Sequence, residues 1–183
     1  MTYYGGKELA EAFRTVRKNT IQIAEDIPEN KYDFRAAPDT RTVTQTLAHM
    51  AVATGFQQYV HDHKVTDMAK VPFDELFQKF TAEENKPRSK AELIAWLKSE
   101  GDKFAAFLEQ LPESMLPERV TLAPGVGVEQ KTRFEMLLGA KEHEMHHRAQ
   151  LMTIERMLGI VPHITKLMQQ RMAARNAATQ AQR

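Results

Sequence analysis

Seven histidines are spread along this chain, and three of them have a placement that suits a metal ion. The segment EHEMHHRAQ carries His143, His146 and His147. At about 100° per residue on a helix, His143 and His147 lie about 40° apart and one turn along, so both imidazoles reach a single ion. The same arithmetic puts Met136, Ala140, Ile154 and Leu158 within about 60° of His143, so the pair borders an apolar face. His146 falls on the far side of His143 from that stripe and is expected to face outward. A third candidate, His49 in TLAHMAVATGF, lies within about 40° of Ala53, Phe56 and Val60 and looks along an apolar stripe of its own helix.

A lone inward histidine is usually a hydrogen-bonded core residue. Three from two helices are different, because burying several imidazoles without polar partners is unfavourable and one shared divalent cation satisfies them all. Three neutral imidazoles around zinc, with a position left open, is a known catalytic arrangement. His49, His143 and His147 are therefore the expected ligands, with the pair His143 and His146 as the alternative. His61, His63 and His163 fall at element ends or in loops and read as surface residues.

The run His143-Glu144-Met145-His146-His147 also satisfies H-E-x-x-H, the zincin signature, in which the glutamate serves as general base. The metzincin extension needs Gly at 150 and His at 153, where this chain has Gln150 and Thr153. A gluzincin takes its third ligand from a downstream glutamate, and no acidic residue follows Glu155. A zincin-like protease is therefore disfavoured.

The elements that must hold these residues read as helices. Leu9, Phe13, Val16, Thr20, Ile23 and Ile27 recur at three- and four-residue steps until Pro28, which predicts a helix over about residues 7–26. Thr42 with Gln45, and Ser89 with Glu92, have the capping-box spacing that opens a helix. They predict helices from about Val43 to Val60 and from Ser89 to Leu111. Another covers Lys131 to Leu158, capped by Gly159. Pro162 opens a fifth helix, ITKLMQQRMAA, packed outside the bundle. The long 61–88 and 112–130 connections, the first with a short helix around Phe73 to Phe80, predict an all-α four-helix bundle with long crossover connections. Nothing between these segments reads as a strong strand, and the best candidate, ERVTLA at 118–123, is short and isolated.

At 183 residues, one domain is expected, over 1–168, followed at 169–183 by a basic helix end or tail. After Glu155 the chain carries Arg156, Lys166, Arg171, Arg175 and Arg183 with no acid, and ARNAATQAQR reads as a frayed, solvated tail. A net charge of +1 gives little steering toward nucleic acid. There is no cysteine, which excludes disulfides, thiolate-ligated zinc and a thiol nucleophile of the protein's own. No apolar run has signal-peptide or membrane-spanning length, so the expectation is a soluble, cytoplasmic protein.

These segments resemble the DinB/YfiT-like family over about residues 5–168. The likeness lies in IPENKYDFRAAP, in RTVTQTLAHMA with His49, and in EHEMHHRAQL followed by LGIVPH. The family motif often reads H-x-x-x-H-R-G-Q, and Ala149 stands here where Gly is common. The resemblance implies a four-helix bundle whose second helix gives one histidine, and whose last long helix gives two, to a divalent metal. The matching positions are His49, His143 and His147. It further implies a homodimer, and relatives that include thiol-dependent S-transferases and a maleylpyruvate isomerase acting with low-molecular-weight thiols.

On that basis the expected function is a metal-dependent enzyme that transfers a group to a small thiol. The alternatives are a metal-hydroxide hydrolase and a non-catalytic metal-binding bundle. Zinc or nickel is the expected ion, although imidazole ligation also accepts iron and copper. Glu144 either orients a ligand or accepts a proton, or is an ordinary helix carboxylate. Arg148 pairs either with a substrate carboxylate or with a glutamate of its own bundle. The expected substrate pocket lies where the second and last long helices face each other, with Met50, Phe56 and Ile154 among its apolar contacts.

Overall fold

The structure, a computed structural model, describes residues 4–125 and 127–181. The first three residues of the expected domain, and Gln182 and Arg183 of the expected tail, lie outside the described residues.

Local signals fix the helix ends. Helix α1 (Gly6–Asp26) buries the Leu9, Phe13, Val16, Thr20 and Ile23 stripe and stops at Ile27 before Pro28. Helix α2 (Val43–Asp62) opens with the Thr42 and Gln45 capping box, the two residues exchanging side-chain to backbone bonds of 3.0 and 3.1 Å. Helix α3 (Phe73–Glu84) runs four residues past the expected Phe80. Helix α4 (Lys90–Gln110) opens on Ser89 and Glu92. Helix α5 (Arg133–Met157) starts later than Lys131, on a Thr132 and Glu135 capping box, because residues 130–132 belong to a strand. Gly159, at φ +77, closes it, with the Ile160 N–H donating to the Glu155 carbonyl at 2.8 Å.

Two expectations change. ERVTLA is not isolated: β1 (Arg119–Thr121) pairs antiparallel with β2 (Gln130–Thr132), Val120 opposite Lys131. Val120 is fully buried against Val60 and Met136, so the hairpin covers one end of the bundle. ARNAATQAQR is helical as far as Ala181, since helix α6 (His163–Ala181) takes in its described residues, which are solvent-exposed.

Helix α1 packs on α4 and α5, and α2 packs on the same two helices, so α1 and α2 face each other across a diagonal. Of the consecutive long helices only α2 and α4 pack on each other, whereas up-down-up-down packing would make every successive pair neighbours. The 27–42 and 111–132 connections cross the ends of the bundle. Helix α3 lies against α2, and α6 touches α1.

Two apolar layers fill the interior. One holds Ile23, Leu47, Met50, Leu93, Leu97 and Leu151; the other holds Leu9, Phe13, Phe104, Leu108 and Leu137. Between them lies a charged layer. Arg17, 3% exposed, donates to the Leu97 carbonyl at 2.8 Å and the Met50 carbonyl at 2.9 Å. It also pairs with Glu144 through Nε and Nη2, at 2.8 and 3.0 Å. One guidanidinium thus joins all four long helices. Gly101 makes room for it, because a Cβ at that position would lie 2.7 Å from Arg17 Cγ.

Breaking such a pair strands a buried charge. Glu144→Ala is expected to lower the unfolding free energy by about 3–5 kcal/mol in urea denaturation. A loss below about 1 kcal/mol would mean that the charged layer does not hold the bundle.

Candidate metal centre

His49 lies two turns into α2, and His143 and His147 occupy successive turns in the middle of α5. Packing of α2 on α5 brings the three rings together at the level of the charged layer, since His49 precedes Met50 and His143 precedes Glu144 in the chain. His49 Nε2 lies 2.9 Å from His143 Nε2, and His147 Nε2 lies 3.2 Å from the same atom. Their ligand atoms all fall within 4.8 Å of one another. Among the described residues, no further His, Asp or Glu joins this group.

The outer nitrogens fix the inner ones. His49 Nδ1 donates to Glu84 Oε2 at 2.9 Å, and His147 Nδ1 donates to Gln150 Oε1 at 2.8 Å. Gln150 is itself oriented, because its amide nitrogen lies 3.2 Å from His146 Nε2. Both His49 and His147 therefore turn an Nε2 lone pair toward His143, and a single proton on His143 Nε2 cannot serve both lone pairs well. A cation serves all three nitrogens. With bonds of 2.0–2.1 Å, tetrahedral zinc needs nitrogens about 3.3 Å apart. The observed 2.9 and 3.2 Å separations need only a small expansion, so the residues fit a divalent ion.

The charges agree with this. Burial, then the neighbouring His147 and His49, push the His143 pKa down to about 4. Burial pushes His147 down to about 4 as well, against the opposing effect of its bond to Gln150. Both rings are neutral at pH 7, the form a metal requires. Burial works to raise the pKa of Glu84, but the His49 bond and Arg41 outweigh it and hold the carboxyl below its ordinary value. Arg41 Nε meets Glu84 Oε1 at 2.5 Å.

The histidines open onto two cavities. One, of about 780 Å³, reaches His147 and is lined by Arg41, Gln45, Glu84, Gln150 and Ile154. The other, of about 450 Å³, reaches His49 and His143 and is lined by Phe56 and by phenylalanines of α3.

Other candidates fall elsewhere. His146 is exposed and outside the group, as its helical phase predicts. Glu144 is also outside it, with its carboxylate turned to Arg17, an arrangement that does not suit a zincin base. Arg148, half-buried, lies near enough to His163, the first residue of α6, for its charge to act on that ring. Burial, together with Arg148 and Lys166 and against Asp26, lowers the pKa of His163. His61 is not a surface residue: it is 1% exposed, in the last turn of α2, with Nδ1 3.3 Å from Arg133 Nη1. Met50 is fully buried in the core and lines neither cavity, whereas Phe56 and Ile154 line one each. Glu84, Gln150 and α3 carry no motif, although Gln150 at three residues past His147 has a helical spacing that suits a side-chain bond.

A family model for the DinB superfamily matches residues 12–151. The uncharacterized protein YjoA of Bacillus subtilis (strain 168) is 24% identical over 152 residues, 83% of this chain and 90% of that protein. Its crystal structure, that of a DinB-like protein, superposes with a TM-score of 0.61 over 83% of this chain and 92% of that chain, at 22% identity. YfiT from Bacillus subtilis, "a probable metal-dependent hydrolase with an unusual four-helix bundle topology", gives 0.66 at 16% identity over 87% of this chain and 91% of that one. The mycothiol-dependent maleylpyruvate isomerase gives 0.61 at 13% identity over 82% of this chain and 63% of that one.

Elemental analysis is expected to find about one divalent ion per chain, retained in His146→Ala and lost in His49→Ala, His143→Ala and His147→Ala. Full occupancy without His49 or His147 would reject the triad, and loss of metal in His143→Ala and His146→Ala with retention in the other two would favour the alternative pair.

Proposed function

The chain belongs to the DinB superfamily, and from that premise we propose that it is a metal-dependent enzyme that transfers a group to a low-molecular-weight thiol. In this reading His49, His143 and His147 hold one divalent ion, zinc or nickel. The observation that carries it is the convergence of three Nε2 atoms, joined by no further His, Asp or Glu among the described residues, between two cavities. A structural zinc normally has four protein ligands, whereas three ligands beside open space suit catalysis. When bound, such an ion keeps its positive charge on neutral imidazoles and favours loss of a proton from a thiol or water in its open positions.

The chain's own residues orient and select. Glu84 and Gln150 fix the tautomers of His49 and His147, and Arg41 keeps Glu84 in place. Arg17 and Glu144 act from behind, setting the height of α2 against α5. The absence of cysteine fits an enzyme whose sulfur arrives with its substrate. In the transfer, the thiol gives up its proton to solvent, sulfur bonds to the electrophilic carbon, and the leaving group departs with the bonding electron pair and takes a proton from water. On the family resemblance, the proposal extends to a cytoplasmic homodimer with residues 1–168 as the catalytic domain. No helix among the described residues is long and apolar enough to cross a membrane.

A second reading, hydrolysis by activated water, draws support from the description of YfiT. The test is a screen of metal-loaded protein with glutathione, cysteine, bacillithiol and mycothiol against a chromogenic electrophile. At least one thiol is expected to give turnover that His49→Ala abolishes. Absence of thiol-dependent turnover, together with metal-dependent cleavage of an ester or amide, would replace thiol transfer with hydrolysis.

A further inference from the structure

The two cavities beside the histidines differ in chemistry. In the smaller one, Phe56 and Phe73 meet edge to face at 5.3 Å, and Phe80 packs over Gly55, so the wall is a set of packed rings. Phe73 and Phe77 are nevertheless 55% and 62% exposed, which leaves aromatic surface facing solvent beside His49 and His143. Exposed apolar surface at the mouth of a cavity marks a binding groove. Gly139 lies one turn before His143 on the same face of α5 and lines the same cavity. A Cβ added to it would meet nothing within 4 Å, so the space next to His143 is left open by a glycine.

The larger cavity is mixed, with a greater polar share than the aromatic one. Arg41 lines it and gives only its Nε to Glu84, leaving both Nη groups without a partner among the described residues. Gln45, Asn85 and Gln150 supply further polar atoms. A guanidinium fork of this kind suits a carboxylate.

We propose that the histidine group stands between two subsites. The aromatic cavity takes the apolar skeleton of the electrophile, and the Arg41 cavity takes a thiol that carries a carboxylate. The assignment rests on the metal-dependent thiol reading above and deepens it by naming the class of each substrate. The smaller cavity, at about 450 Å³, is the size of a small-molecule site. The polar end of the thiol enters beside His147, and the electrophile approaches from the side of His49 and His143. The substrates thus reach the histidines from opposite sides instead of competing for one pocket.

Binding can be read without turnover. The neutral fluorophore N-phenyl-1-naphthylamine probes the aromatic cavity of the metal-loaded protein, and calorimetry compares N-acetylcysteine with its amide at the Arg41 side. Gly139→Leu, which fills open space, and Phe77→Glu, which charges an exposed rim, should each weaken naphthylamine binding by about tenfold or more. Neither should alter metal content or the preference for the acid over the amide. Arg41→Gln should remove that preference, about tenfold in wild type, and leave naphthylamine binding unchanged. Equal naphthylamine binding by wild type, Gly139→Leu and Phe77→Glu would overturn the aromatic subsite. Equal binding of acid and amide to wild type would overturn the carboxylate subsite. Loss of both probes in any one variant with full metal content would mean a single undivided pocket. A protein that binds both probes in the expected pattern yet turns over no thiol would retire the thiol-transfer reading and leave the two subsites standing.

Discussion

A buried guanidinium cannot be left unsatisfied, and the placement of Arg17 in the middle of the bundle constrains everything around it. Its partners come from α2, α4 and α5, and two of them are main-chain carbonyls, which cannot adjust by changing rotamer. Sliding any one helix by a turn would leave a charge without a partner in a site closed to water, at a cost of several kcal/mol. The apolar layers above and below supply most of the burial, but apolar contacts alone tolerate slippage. The charged layer sets the register. His49 and His143 are each next in sequence to a residue that Arg17 holds, so the register that satisfies Arg17 is also the one in which the imidazoles meet.

Helix α5 separates two kinds of polar chemistry by its own geometry. Glu144 points into the bundle and is paired, while His143 and His147 face the cleft with α2 and α3. A H-E-x-x-H run therefore serves here as two unrelated devices, a structural ion pair on one face and a candidate metal site on the next. This is why the zincin pattern fits the letters of the sequence without its chemistry following. The neutral state of His143 and His147 has the same origin, since burial among other imidazoles disfavours protonation and leaves lone pairs facing inward.

Much of this was legible in the sequence because helices declare themselves by period and cap. The α1 stripe, the Thr42 and Ser89 capping boxes and Gly159 each act within a few residues of themselves. Helical phase likewise brought out His49, His143 and His147 and turned His146 outward. What escaped depends on distant partners. Arg17 sits beside an apolar stripe and reads as a solvated charge until Gly101, 84 positions on, is seen to make room for it. His61 falls near a helix end and so reads as a surface residue, but Arg133 from α5 covers it. Of the hairpin only the first strand shows in the sequence, as ERVTLA; its partner Gln130–Thr132 does not, because each strand is three residues long and stable only when paired. Glu84 and the α3 phenylalanines belong to a connecting segment, whose contact with α2 no local pattern specifies.

In the proposed site, these three imidazoles share one ion with an open side. Crystals of the metal-loaded protein, measured on both sides of the absorption edge of the bound metal, test it without reference to any reaction. One anomalous peak per chain is expected, about 2.0–2.2 Å from Nε2 of His49, His143 and His147, with no fourth protein atom in the shell. A peak on His143 and His146, a fourth protein ligand closing the shell, or no peak among these rings would contradict it.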